Sequence, residues 1–169
     1  RITRAHSARA AHTGHMRHSP DRRRTIWVVD DSPMDAERVR RLLALTHDVE
    51  ILHDGAAALE HLAAGATPDL MVLDWVMPGI SGIDVCHYVR SAGGRIPRIP
   101  ILLLTACHGT QEILQAFRSG ANDYVAKPFV DEELQARVES QLATQRLIER
   151  AEQAEADARS LLASAPDPI

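Results

Sequence analysis

The sequence is poor in cysteine and in long apolar runs, and each shortage excludes a class of protein. Two cysteines among 169 residues, Cys86 and Cys107, are too few for a disulfide scaffold and favour a reducing, cytoplasmic compartment. No stretch approaches the roughly 20 apolar residues that a transmembrane helix needs, so we expect no membrane span in this segment. Hydrophobic residues make up 45% and charged residues 25% of the chain, as in globular domains.

Lysine is almost missing as well, and charge is unevenly spread. Lys127 is the one lysine among 19 basic residues, and the other 18 are arginines. Residues 1–24 carry seven arginines and one acid without periodic hydrophobicity, which predicts a disordered basic arm. Because the whole chain has a net charge of −4, residues 25–169 carry −10. Such an acidic body argues against direct contact with nucleic acid.

Between residues 25 and 127, short apolar runs alternate with stretches of helical periodicity. The runs predict five strands, at 26–29, 49–53, 70–73, 101–104 and 123–126. Repeated βα units require a parallel sheet that helices cover on both faces. The sequence therefore predicts an α/β fold, a doubly wound, flavodoxin-like sheet with strand order 2-1-3-4-5 and a long C-terminal helix.

Polar residues follow four of these strands. Asp30 and Asp31 come after the first, Asp74 ends the third, Thr105 follows the fourth and Lys127 follows the fifth. Each alone is compatible with a helix cap or a turn. In this strand order, however, all five side chains converge at the carboxyl edge of the sheet, where such folds place their sites.

Three carboxylates in one pocket need compensation. Two unit charges about 4 Å apart repel by about 4 kcal/mol at an effective dielectric constant near 20. A hard divalent cation such as Mg²⁺ offsets this repulsion, and Lys127 supplies a further positive charge. A carboxylate beside a metal and a lysine is suited to receiving a phosphoryl group.

Four segments carry a resemblance to a known family. They are VVDDSP (28–33), LMVLDWVMPGISG (70–82), ILLLTA (101–106) and GANDYVAKPF (120–129). In their order and spacing they resemble the receiver domain of two-component response regulators. The resemblance implies that Asp74 is the phosphoacceptor, that Asp31 binds Mg²⁺ directly and Asp30 mostly through water, and that the backbone carbonyl of Val76 completes the protein ligands.

The same resemblance implies a switch and a partner. Lys127 pairs with the phosphoryl group, the Thr105 hydroxyl moves to bond it, and Tyr124 turns inward afterwards. The switched face is formed by the fourth helix, fifth strand and fifth helix, and the Lys127–Pro128 peptide bond is cis. The donor is a histidine kinase or a phosphotransfer protein, so the chain is not an independent enzyme.

Two other functions remain open at this point. A haloacid-dehalogenase-like phosphatase also uses an Asp nucleophile with Mg²⁺, but it wants a second Asp two residues later, where this chain has Val76. A pseudo-receiver would bind partners without phosphorylation, although all five site residues are present. A phosphorylation assay separates these functions.

The resemblance places the receiver at residues 25–144. Helical sequence without Gly or Pro continues beyond residue 144. Residues 145–163 place Leu147, Ala151, Ala154, Ala158 and Leu161 at alternating four- and three-residue steps. This spacing predicts a coiled-coil linker that pairs two copies, with a solvated amphipathic helix as the alternative. Residues 164–169 resemble the start of a PAS domain, so we expect the receiver portion of a larger protein, with a PAS module and then a kinase or cyclic-nucleotide output beyond residue 169. No helix-turn-helix fits within the given residues, so we expect no transcription factor unless the sequence is truncated.

Overall fold

The computed structural model describes residues 23–94, 96–106 and 109–163, and in these ranges strands and helices alternate. The strands are β1 (Thr25–Val29), β2 (Asp48–Leu52), β3 (Leu70–Asp74), β4 (Ile101–Thr105) and β5 (Asp123–Ala126). The helices are α1 (Pro33–Leu43), α2 (Gly55–Ala63), α3 (Gly82–Ser91), α4 (Thr110–Arg118) and α5 (Asp131–Ala163), and a 3₁₀ turn at Ile96–Arg98 precedes β4. Each predicted strand is present, with ends shifted by at most one residue.

The strands form one parallel sheet in the order β2-β1-β3-β4-β5, which confirms the predicted flavodoxin-like fold. Val29 is in register with Leu73, and Leu73 is in register with Leu103. The residues that follow these positions, Asp30 and Asp74, are therefore neighbours at the carboxyl edge.

Both faces of the sheet are buried, because successive side chains of a strand point to opposite sides. One face packs against α2, α3 and α4, and the other against α1 and α5. The strand residues that face α2, α3 and α4 include Trp27, Val29, Met71, Leu73, Ile101 and Leu103. Those that face α1 and α5 include Ile26, Val28, Leu70, Val72, Leu102 and Leu104. This two-sided burial explains why the inner strands β1, β3 and β4 are nearly continuous apolar runs.

Side-chain caps fix where the helices near the carboxyl edge begin. Ser32 caps α1 by accepting a hydrogen bond from the Asp35 backbone N–H, and Pro33 occupies the first helical position. Ser81 and Asp84 form a reciprocal capping box at the start of α3. These caps set the loops that follow β1 and β3.

The long C-terminal helix is confirmed as α5. Its buried residues, Leu134, Val138 and Leu142, recur every four positions and lie on the sheet. The positions from 151 to 163 are all exposed. The pairing of two copies through residues 145–163 stays a prediction, and residues 164–169 and most of the arm at 1–24 lie outside the described ranges.

None of the described helices is both long enough and apolar enough to span a membrane.

Candidate functional site

Asp30 and Asp31 follow β1 and differ strongly in exposure. The side chain of Asp30 is 1% exposed, and its Oδ1 accepts a hydrogen bond from the Ser32 backbone N–H at 2.8 Å. Its own backbone N–H donates to the carbonyl of Leu52. Asp31 is exposed. The pair therefore offers one fixed carboxylate inside the site and one at its mouth.

Asp74 ends β3, and its position depends on a close approach of the chain at Gly82. A Cβ atom at Gly82 would lie 2.4 Å from the carbonyl oxygen of Asp74, so no other residue fits there without a shift of the backbone. The Gly82 backbone N–H donates to the carbonyl of Trp75 at 3.0 Å. The start of α3 is thus held against the loop that carries Asp74.

Lys127 follows β5 and reaches three carboxylates. Its Nζ lies 3.0 Å from Asp74 Oδ1, 3.1 Å from Asp30 Oδ2 and 3.3 Å from Asp35 Oδ2. Its backbone N–H donates to the Thr105 carbonyl, which ties the start of the β5–α5 loop to β4. The Lys127–Pro128 peptide bond is cis, as the resemblance implies.

The site has more negative than positive charge. Carboxylate oxygens of Asp30, Asp31 and Asp74 all lie within 4.8 Å of one another, and Asp35 adds a fourth acid beside Lys127. Burial raises the pKa of Asp74, and the charges of Asp30 and Asp31 act in the same direction against the opposing effect of Lys127. Burial alone would lower the pKa of Lys127, but its carboxylate partners outweigh this effect and raise it.

This donor set fits a hard divalent cation. Its oxygens come from carboxylates, one of them exposed, and Mg²⁺ prefers oxygen ligands and keeps several waters of its own. Because the carboxylates outnumber the single ammonium, a bound cation would reduce the repulsion between them. No Cys or His joins the cluster among the described residues, so its chemistry differs from that of a zinc site.

The remaining predicted residues lie on β4, on β5 and in the loop after β3. Thr105 ends β4 and is buried, one residue beyond the position that is in register with Asp74. The side chain of Val76 is exposed. Tyr124 is half-buried on β5, and its ring meets that of Phe117 on α4 edge to face, with centroids 5.8 Å apart. Tyr124 is therefore placed at the junction of α4 and β5.

Asp35 is the site residue that the sequence reasoning missed. It lies in the first turn of α1, three residues after the Ser32 cap, where an acid is ordinarily explained by the helix dipole. Its contact with Lys127 depends on the fold, because the two residues are 92 positions apart.

Comparison with known proteins gives a consistent result. The model of the response regulator receiver domain family matches residues 26–139. Response regulator MprA of Mycobacterium ulcerans is 42% identical over 123 residues, 72% of this chain and 51% of MprA. The signal receiver domain of a signal transduction histidine kinase from Syntrophus aciditrophicus is 29% identical with a TM-score of 0.66, over 72% of this chain and 91% of that one.

A further relative corrects the partner prediction. The DNA-binding response regulator MtrA of Mycolicibacterium smegmatis is 41% identical over 121 residues, 71% of this chain and 51% of MtrA. The prediction of no direct nucleic-acid contact is therefore wrong. It was drawn from the charge of a segment that spans about half the length of the curated relatives it matches. The charge of one segment does not determine what the rest of such a protein binds.

Proposed function

Because the chain belongs to the response regulator receiver domain family, we propose that Asp74 accepts a phosphoryl group from a histidine kinase or phosphotransfer protein. The observation that carries the proposal is the 3.0 Å contact between Lys127 Nζ and Asp74 Oδ1 in a cluster with an excess of carboxylates. A carboxylate oxygen of Asp74 forms the new bond to phosphorus. The bond from phosphorus to the donor imidazole nitrogen breaks, and the imidazole leaves with the electron pair of that bond.

The neighbouring side chains prepare Asp74 for this role. Asp30, Asp31, Asp74 and the backbone carbonyl of Val76 would hold Mg²⁺, which when bound neutralises charge on the transferring oxygens. Lys127 holds the Asp74 carboxylate by an ion pair and supplies an ammonium for a phosphoryl oxygen. Asp30 is fixed by the Ser32 backbone N–H, so the donor set is arranged before any ligand arrives.

Regulation is part of the same proposal. The Thr105 hydroxyl bonds the phosphoryl group, and Tyr124 changes its packing against Phe117. Phosphorylation then favours one of two states of the face formed by α4, β5 and α5. The free energy of this shift equals at most the difference between the interactions of the phosphoryl group with the two states. Val76 has an apolar, exposed side chain that offers no group to position a water molecule, so self-dephosphorylation is slow.

The domain division and the location are also proposals. We propose a basic arm at 1–24, a receiver at 25–144, a helical linker at 145–163 and the start of a further domain at 164–169. A cytoplasmic location agrees with donor kinases that use ATP and with the low cysteine content. The receiver itself is a phosphoacceptor, and any enzymatic output belongs to another domain.

The proposal is tested by weighing the intact protein after incubation with acetyl phosphate and Mg²⁺. The wild type should gain one phosphoryl group and Asp74→Asn none. Asp69→Asn is the matched control, because this acid is similarly buried before β3 and pairs with an arginine instead of Lys127. Equal uptake by the wild type and Asp74→Asn would remove Asp74 from its role.

A further inference from the structure

The part of α5 beyond Leu142 lies outside the apolar core. Leu142 is the last buried residue of the helix, and both Leu147 and Ile148 are exposed. Glu149 lies about 10 Å further along the axis, since each residue advances a helix by about 1.5 Å. Apolar packing therefore holds only the first turns of this helix, and polar contacts are what hold the part beyond Leu142 against bending away from the domain.

Polar contacts meet the helix at this level. Arg24 Nη2 donates to Glu149 Oε2 at 3.0 Å, and Arg24 Nη1 donates to Glu149 Oε1 at 3.4 Å. This is a two-bonded arginine–carboxylate pair, the geometry that fixes both direction and distance. Three residues later, Glu152 pairs with Arg98 of the 3₁₀ turn before β4.

Arg24 is itself held by the sheet. Its Nη1 also donates to Asp69 Oδ1 at 3.0 Å, and Asp69 Oδ2 accepts from the Thr25 backbone N–H at 2.8 Å. The Arg24 carbonyl accepts from the Asp48 backbone N–H at the start of β2. Arg24 is thus held at the amino ends of three neighbouring strands, its guanidinium through Asp69 and its backbone through Asp48.

The contact differs from an ordinary surface ion pair in its burial. The side chains of Arg24, Asp69 and Glu149 are 13%, 19% and 21% exposed. The hydrogen bond to Glu149 is the main cause that raises the pKa of Arg24. An isolated exposed pair would contribute little, whereas a mostly desolvated, two-bonded pair on an anchored arginine resists rotation of the helix.

We propose that Arg24, oriented by Asp69, is a clamp that fixes the direction in which residues 150–163 of α5 leave the receiver. Glu149 is the residue of α5 that Arg24 binds, and the Arg98–Glu152 pair is a secondary contact on the same face of the helix. The clamp lies at the edge of the sheet opposite the carboxylate cluster. It sets the geometry between the receiver and whatever is attached to the helix, and it does not require phosphorylation of Asp74.

The part of α5 beyond Glu149 is long enough for a change in its direction to be measured. About 21 Å of helix separate Glu149 from the end of α5, so a tilt of about 20° at the clamp would move that end by about 7 Å. We would place spin labels at Ser91→Cys and Ser160→Cys, both exposed positions, with Cys107→Ser and the buried Cys86 unchanged. Dilution with unlabelled protein restricts the measured distances to one chain.

The wild type should give one narrow distance distribution, while Glu149→Gln and Arg24→Gln should each broaden it at least about twofold, given the length of α5 beyond Glu149. The double variant should be no broader than either single variant, because both remove the same contact. Glu155→Gln is the matched control, since Glu155 pairs with Arg159 within the helix, and it should leave the distribution narrow.

Two results would overturn the clamp. One is an unchanged distribution in Glu149→Gln. The other is equal broadening in Glu155→Gln, which would show that any lost charge loosens the helix. Circular dichroism of each variant confirms that helix content is retained. Since the labels report without any phosphoryl donor, a failed clamp and a failed phosphoacceptor proposal give separate results.

Discussion

The two edges of the sheet carry similar residues in different proportions. At the carboxyl edge, four acids (Asp30, Asp31, Asp35 and Asp74) surround one ammonium, that of Lys127. The pKa of Asp74 is raised there, because burial and the neighbouring carboxylates outweigh Lys127. This edge has charge that the protein alone does not neutralise, which indicates a place for a cation.

At the amino edge the charges are nearly balanced, with two guanidinium groups facing three carboxylates, and we call it the matched edge. Arg24 faces Asp69 and Glu149, and Arg98 faces Glu152. The pKa of Arg24 is raised, chiefly by its hydrogen bond to Glu149. The comparison teaches that unmatched charge marks a site for ligands and matched charge holds elements together. The sole lysine serves the first edge, whereas arginines with their rigid donor geometry serve the second.

Removing the proposed metal ligand Asp31 from the carboxyl edge should have the largest effect. In Asp31→Asn, the rate of phosphoryl uptake should fall by about two to three powers of ten, because a bound cation contributes several kcal/mol to such a transfer. The measurement is intact mass against time at fixed Mg²⁺. Asp48→Asn, which removes an exposed acid paired with Arg23 at the other edge, should react at the wild-type rate. Wild-type kinetics in Asp31→Asn would contradict the assignment.

The close packing under Asp74 can be broken without changing any charge. Gly82→Ala should lower the free energy of unfolding by about 3 kcal/mol, because the added Cβ meets a backbone oxygen that cannot rotate away. Urea denaturation measures the change. Gly93→Ala is the control, since nothing lies within 4 Å of a Cβ at that position. Equal stability of the two variants would show that the loop after β3 accommodates the methyl group.

The stabilisation of the folded state by Mg²⁺ should depend on the acids of the carboxyl edge and not on those of the amino edge. At a concentration 100 times its Kd, Mg²⁺ should stabilise the wild type by about 2.7 kcal/mol, because it binds the folded state. Thermal unfolding with NaCl at matched ionic strength measures the specific part. Asp31→Asn should lose most of the shift, and Asp69→Asn should keep it. If NaCl reproduced the stabilisation in full, the cluster would be an acidic patch without a cation site.

At the amino edge, the loss of unfolding free energy on replacing an arginine should increase with the burial of its ion pair. Arg24→Gln should cost about 2 kcal/mol, because it removes the guanidinium from two mostly buried carboxylates, of which Asp69 keeps the Thr25 backbone N–H. Arg23→Gln should cost less, about 1 kcal/mol, since its pair with Asp48 is largely exposed and its other hydrogen bonds go to the uncharged carbonyls of Ala44 and His47. Urea denaturation of the two variants gives the comparison. A larger cost for Arg23→Gln would reverse the order that burial predicts.

Most of the fold could be predicted because both faces of the sheet are buried, which makes the inner strands β1, β3 and β4 apolar runs. The meeting of Asp30 and Asp74 followed from the strand order, since the register of β1 and β3 makes them neighbours. The contact between Arg24 and Glu149 joins residues 125 positions apart, and no local pattern marks it. The error on nucleic acid had a different origin, because a charge sum describes only the segment over which it is taken.

The most direct test of the account is the position of the phosphoryl group. After acetyl phosphate treatment with Mg²⁺, reduction with borohydride converts an aspartyl phosphate to homoserine, and peptide mass spectrometry locates it. The account predicts homoserine at position 74 and at no other acid of the cluster. Homoserine at Asp30, Asp31 or Asp35, or phosphate uptake that leaves position 74 as Asp, would contradict it.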